Sequence, residues 1–299
     1  MSSAVHRTLR VCLIGILALG LSGCLVATDR FSGERAMRHV EAQCDLGPRP
    51  VDSEANRLAA DYIVETLTDY GWEVEEQAFA FREKALRNVI GKKGEGPLII
   101  LGTHFDTRPV ADRDPANRSA PVLGANDGAS GTAVLLELAR VLGEEATDRA
   151  EIWLAFFDGE DSGELNAWPW CVGSLEMANG LTRRPEYVLV VDMIGDADQQ
   201  IYYEWTSSLW LQEKVWAIAA DLGYEKWFIP EHRYSILDDH TSFLQRGMSA
   251  AVIIDFDYPY WHTTHDTVDK VSADSLQRVG DVLQRLLEEE PFAETPDAR

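Results

Sequence analysis

Cysteine is scarce in this chain: four residues in 299, and only Cys44 and Cys171 beyond position 24. That excludes a disulfide-dense scaffold and a cysteine-built metal centre. Cys44 and Cys171 allow one disulfide, and the sequence leaves its formation open. Basic residues are also few, 27 Lys and Arg against 50 Asp and Glu, for a net charge of −23. Phosphate recognition needs a basic face, so a nucleic-acid partner is not expected. The same acidity suits a solvated surface and cationic ligands such as peptide amines. No apolar run after residue 24 is long enough to span a bilayer. Internal repeats, low-complexity blocks and interior linkers are absent from residues 34–290, which favours one domain over two.

The N-terminus carries a targeting pattern. Arg7 and Arg10 precede a short apolar run over 11–21, which ends in Leu21-Ser22-Gly23-Cys24. A run this short is a signal h-region rather than a membrane span. The ending resembles the bacterial lipoprotein signal, which implies cleavage before Cys24, lipid on its sulfur and export of the body. The expected plan is a signal peptide over 1–23, a lipidated cysteine and tether over 24–33, the domain over 34–290 and a tail over 291–299.

Within the domain, helical signals cover 34–43 and 53–70, with Ser53 as cap and Gly71 as stop. Alternation over 74–81 reads as a half-buried strand, and 88–91 as a short one. Near-continuous apolar runs at 97–102, 152–157, 187–191 and 250–254 read as buried strands of a parallel sheet. Helical segments at 131–142, 209–222, 242–246 and 272–289 lie between or after them. The alternation predicts an α/β fold: a three-layer α/β/α domain around a mostly parallel, mixed sheet.

Chemistry-bearing residues cluster just after those runs, where open α/β sheets place their sites. His104 and Asp106 follow the first, Asp127 sits in Gly124-Ala125-Asn126-Asp127-Gly128, and Asp158, Glu160 and Asp161 follow the second. Asp192 closes the third, and His262 follows the fourth in Tyr260-Trp261-His262-Thr263-Thr264-His265-Asp266. Single residues of these types are commonly caps or core groups. Imidazoles and carboxylates at successive strand ends are a donor set that zinc accepts, with one position left open for catalysis.

These segments, together with Asp192-Met193-Ile194-Gly195 and Asp238-Asp239-His240, resemble the M28 zinc metallopeptidases over residues 36–287. The nearest branch is the animal-type glutaminyl-peptide cyclotransferases. The resemblance implies a main zinc on Asp127, Asp161 and His262, although the family more often has Glu at the position of Asp161. It implies Glu160 as general acid/base and His104 as a ligand of a second zinc if two ions bind, with Asp192 either joining His104 there or hydrogen-bonding near Glu160 in the catalytic group. Asp106 would orient His104 from behind. Asp238, Trp261 directly before His262, and Trp168 as a pocket residue (Trp170 is the alternative) point toward the cyclase. Leu237 in place of Gln, no histidine in 250–254, and Thr264-His265-Asp266-Thr267 point toward an aminopeptidase. Peptides with a free N-terminus are the implied substrates of both. A non-catalytic binding lipoprotein on the same fold is the third alternative.

The signal reading makes a direct prediction. Cys24→Ser should release the protein from the membrane fraction or leave it unprocessed. Unaltered processing and membrane retention, read by fractionation and intact mass, would contradict it.

Overall fold

The structure is a computed structural model, and it describes residues 30–289. The targeting segment and Cys24 lie outside the described residues. No helix among those described is long and apolar enough to cross a membrane.

The chain opens with two helices, α1 (Gly33–Asp45) and α2 (Glu54–Asp69). Ser53 caps α2 as its sequence suggests, accepting the Asn56 amide at 3.0 Å. A hairpin follows, β1 (Glu73–Phe81) and β2 (Lys84–Lys93), then β3 (Leu98–His104). The order continues α3 (Ala129–Val141), α4 (Glu144–Thr147), β4 (Glu151–Phe157), α5 (Val172–Gly180) and β5 (Tyr187–Asp192). Next come β6 (Ile201–Glu204), α6 (Leu209–Asp221), β7 (Phe228–Tyr234), α7 (Asp239–Leu244), β8 (Ala250–Ile254) and α8 (Ala273–Glu289).

Six strands form one sheet in the order β1-β2-β4-β3-β5-β8. β4, β3, β5 and β8 run parallel, while β1 and β2 attach antiparallel at one edge. Side chains alternate across a strand, so each apolar run feeds two cores. Ile99, Leu101, Ile152, Leu154, Leu189, Val191 and Ile253 face a core shared with α1, α2, α3, α6 and α8. Leu98, Ile100, Phe157, Val188, Val190, Val252 and Ile254 face a second core with Met177 and Ala178 of α5 and Phe243 of α7. This is the three-layer α/β/α arrangement around a mostly parallel mixed sheet that the sequence pattern predicts.

Three parts depart from the expected elements. β2 is much longer than 88–91, because Lys84 to Lys92 pair with β1 all along the hairpin. The hairpin turn uses Arg82 and Glu83 at φ 47° and 66°, without the Gly or Asn that usually marks such a turn. The small parallel pair β6–β7 and helix α5 have weak periodicity, and contacts distant in sequence stabilise them. Cys44 and Cys171 are buried free thiols. Cys44 belongs to the α1 core, whereas Cys171 precedes α5 on the opposite face, so the sheet separates them and no disulfide forms.

Gly131 brings α3 against the sheet. A methyl group there would meet Thr103 Oγ1 at 2.2 Å and the Val191 carbonyl oxygen at 2.7 Å. Gly131→Ala should therefore destabilise the fold by about 1–3 kcal/mol, the usual overpacking cost. Thermal denaturation should show a Tm lower by several degrees; an unchanged Tm would refute the close approach.

Candidate active site

The C-terminal ends of the parallel strands converge on one pocket floor. β3 ends in His104 and β5 ends in Asp192; the loop before α3 brings Asp127 between them. His104 Nε2 lies 3.1 Å from Asp192 Oδ1 and 3.2 Å from Asp127 Oδ1. The loop after β4 carries Glu160 and Asp161, and the loop after β8 carries His262. His262 Nε2 lies 3.0 Å from Asp161 Oδ1 and 3.8 Å from Asp127 Oδ2. Two buried triads result, His104–Asp127–Asp192 and Asp127–Asp161–His262, in each of which the candidate donor atoms lie within 4.8 Å of one another. Asp127 belongs to both.

The second triad is the more revealing. Asp127 Oδ2, both Asp161 oxygens and His262 Nε2 are buried without a hydrogen-bond partner. Each such atom costs about 1–3 kcal/mol if left unsatisfied. A cation shared among them removes that cost, and carboxylate oxygen with imidazole nitrogen is a donor set zinc takes readily. The residues fit the ion. Asp161 therefore reaches the triad despite being one methylene shorter than Glu.

Electrostatics reflect the crowding. Burial pushes the Asp161 carboxyl up to about 7, with Asp127 adding repulsion and His262 opposing it. Burial also raises Glu160 well above the usual carboxylate range, opposed by His104 and reinforced by Asp161, Asp239 and Asp238. Burial acts against charge on His104, but Asp192 and hydrogen bonds to Asp106, Asp127 and Asp192 outweigh it and raise its pKa. A bound cation favours the ionised carboxylates instead.

Below the floor, buried carboxylates hold the ligand loops by their backbones. Asp106 accepts the amides of Glu160 and Asp161 at 3.1 and 3.2 Å. Its carboxylate stands 3.6 Å from His104 Nδ1, and its own carbonyl oxygen is closer at 3.2 Å. Asp106 thus steers the Glu160 loop through its side chain and His104 through its main chain. Asp266 does the matching work on the other ligand loop, accepting Asn126 and Asp127 amides at 2.8 and 3.1 Å and the Tyr258 hydroxyl at 2.7 Å. Asp112 Oδ1 lies 3.4 Å from His262 Nδ1, where it can fix the ring orientation. Fully buried Arg49 donates to the carbonyls of Phe105 and Gly124, and Arg108 to those of Asp161 and Gly163. Asp158 turns away from the floor to accept Asn56 Nδ2 and the Arg87 amide. His262 itself sits at φ 57°, a left-handed conformation that a non-glycine residue adopts at a cost of about 1–3 kcal/mol.

A cavity of about 180 Å³ opens above this floor, bounded by Asp127, Glu160, Asp192, Asp238 and His262 and walled by Met193, Ile254, Phe256, Trp170 and Trp261. Trp170 stacks on His262, with ring centres 6.0 Å apart and planes 16° apart. Trp168 does not line the cavity; it packs edge-on against Phe81 at 5.0 Å. The correction has a local cause: the 3-10 turn before it and left-handed Asn166 and Ala167 send Trp168 toward the hairpin and bring Trp170 inward. Cys171 donates its S–H to Glu160 Oε1 at 3.7 Å. Asp238 accepts the Asp239 amide and keeps Oδ2 unpartnered, and burial raises its pKa to about 7.

Sequence reading missed Asp266, Asp112, Arg49, Arg108 and Asp239. Arg49 stands in Pro48-Arg49-Pro50, a local pattern that gives no sign of a buried guanidinium. Asp266, four residues past His262, carried a usable signal, being a carboxylate inside the same aromatic motif.

An open α/β sheet whose strand ends gather nitrogen and oxygen ligands under an apolar pocket is the architecture of a zinc enzyme. Peptidase family M28 matches residues 88–287, and the chain belongs to that family. Aminopeptidase YwaD of Bacillus subtilis is 29% identical over 231 residues, 68% of this chain; the match spans only 44% of that longer protein. The glutaminyl cyclase structure from Tannerella forsythia is 32% identical with a TM-score of 0.82, covering 88% of this chain and 100% of that one. A Zn-dependent exopeptidase structure from Parabacteroides distasonis is 28% identical with a TM-score of 0.81, covering 88% and 100%.

The ligand assignment predicts metal contents. Asp161→Ala and His262→Ala should each lose most zinc on dialysis, and Asp127→Ala, common to both triads, should lose at least as much. Elemental analysis of the folded variants checks this. Asp127→Ala with wild-type zinc would overturn the assignment.

Proposed function

We propose that this protein is a glutaminyl-peptide cyclotransferase, converting an N-terminal Gln to pyroglutamate with release of ammonia. The observation that carries this reading is the pocket: Trp170 and Trp261 wall a space sized for one side chain, directly above Glu160 and Asp238. A flat amide fits between apolar walls that exclude water. Zinc on Asp127, Asp161 and His262 would supply Lewis acidity toward the side-chain amide oxygen. Glu160 takes a proton from the α-amine as the nitrogen closes on the amide carbon, and delivers one to the departing ammonia. One C–N bond forms, one breaks, and the proton is returned. Burial, opposed by His104 and reinforced by Asp161, Asp239 and Asp238, raises Glu160 above the usual carboxylate range, the direction that proton acceptance requires. Ring closure gains from holding amine and amide together, where effective molarities reach on the order of 10⁵ M. Asp238 and Asp192 adjoin Glu160 in the same pocket and complete the acid network.

A second reading has its own support. The complete His104–Asp127–Asp192 triad offers a second ion site, as a two-zinc aminopeptidase requires. Glu160 would then deprotonate water for attack on the first peptide bond. One zinc accompanies the first reading and up to two the second. In either case we propose an exported protein held to a bacterial membrane through Cys24 alone, acting on peptides with a free N-terminus.

Incubation with Gln-peptides and with Leu- or Ala-peptides, followed by mass analysis, separates the readings. Cyclisation removes ammonia from an intact peptide; peptidase action frees an amino acid. Glu160→Gln should keep zinc and fold while lowering turnover by roughly 10²–10⁴-fold. Near-normal turnover would refute the proton-shuttle role in both reactions. Zinc loss in Glu160→Gln would instead exchange the roles of Glu160 and Asp161.

A further inference from the structure

One cation beside the pocket has no part in this chemistry. Arg113 is exposed, and its guanidinium carbon lies 3.9 Å from the ring centre of Trp261, a wall of the pocket. Acidic residues outnumber basic ones 50 to 27, yet among the described residues no hydrogen bond or ion pair engages this guanidinium. The surrounding arginines differ. Arg108 is held by Asp112, Arg118 by the Asp112 carbonyl and Arg233 by Asp257.

The position of Arg113 is built rather than incidental. Its backbone amide donates to the His262 carbonyl at 3.2 Å. The next residue, Asp114, accepts the Thr264 amide at 2.9 Å, and also the Ala116 and Asn117 amides at 2.8 Å each. The rim loop is thereby tied to the His262 loop at two positions, His262 and Thr264, just after Trp261. A contact of the guanidinium carbon over the ring face uses no N–H donor, so the donors stay free for a carboxylate, which they match two by two.

No Lys or Arg lines the pocket, whose polar floor is Asp127, Glu160, Asp192, Asp238 and His262. A peptide amine belongs there, and a chain leaving over the Trp261 wall meets Arg113. We propose that Arg113 forms a carboxylate subsite at the mouth, binding an acidic side chain on the second or third residue of the substrate peptide. This rests on the pocket taking a free peptide N-terminus. The acidic body as a whole would favour basic peptides, but at physiological salt that field is screened beyond about 8 Å. A direct contact with Arg113 decides the preference locally.

The test uses C-terminally amidated peptides with Glu or its neutral isostere Gln at the second or third residue. Their first residue is Gln in one series and Leu in another. Turnover of each is measured at about 0.15 M salt by wild type, Arg113→Gln and Arg113→Lys. Wild type should prefer Glu over Gln by about threefold to fivefold in kcat/KM, expressed in KM, the scale of an exposed ion pair. Arg113→Gln should abolish the preference and Arg113→Lys retain part of it. Ratios are taken within each variant, so a general loss from a displaced Trp261 divides out. A wild type without the preference, or a preference surviving in Arg113→Gln, overturns the subsite while leaving the N-terminal reading intact. A wild type that turns over neither series overturns the N-terminal reading and the subsite with it.

Discussion

Everything at the strand ends answers to the Asp127 carboxylate. It is buried, offers one oxygen toward each triad, and lies within 3.8 Å of both His104 and His262. Such a group is costly unless its surroundings are fixed. The cradle beneath it is correspondingly rigid, with Asp266 holding its own backbone amide and Arg49 holding the carbonyl of Gly124 at the start of its loop. The geometry of the two triads is thus specified as much by main-chain anchoring as by the side chains themselves.

The same device recurs on the other side of the pocket. Asp106 grips the consecutive amides of Glu160 and Asp161, so two adjacent side chains are presented with different surroundings. Asp161 joins His262, and Glu160 stays beneath the tryptophan-walled cavity with the Cys171 thiol as its hydrogen-bond donor. A short strand-end loop held at two successive amides can fix two adjacent side chains in different surroundings, whereas a free loop would average them.

How much of this was legible in the sequence depended on range. Buried parallel strands need continuous apolar residues, so β3, β4, β5 and β8 are visible within a residue or two. Ser53 and Gly71 mark α2 because caps are local chemistry. The β6–β7 pair and α5 carry no such mark, and non-local contacts decided them. The site followed the same division. His104, Asp127, Glu160, Asp161, Asp192, Asp238 and His262 stand at or near strand ends in recognisable motifs, and all of them except Asp161, which joins the Asp127–His262 triad, and His104, which joins the neighbouring triad, line the pocket. Trp168 and Trp170 are two residues apart in one loop, and nothing in their spacing says which one faces inward.

Chain order and residue type alone thus determined the α/β architecture, the donor set and the family resemblance, because strand burial and ligand chemistry are properties of short segments. Tertiary structure decided which donors gather into each triad, that Cys44 and Cys171 lie on opposite faces of the sheet, that Trp170 rather than Trp168 walls the pocket, and that Asp266 and Arg49 anchor the Asp127 loop. Those outcomes depend on backbone amides, left-handed turns and contacts between residues often more than a hundred positions apart, none of which leaves a local pattern in the chain.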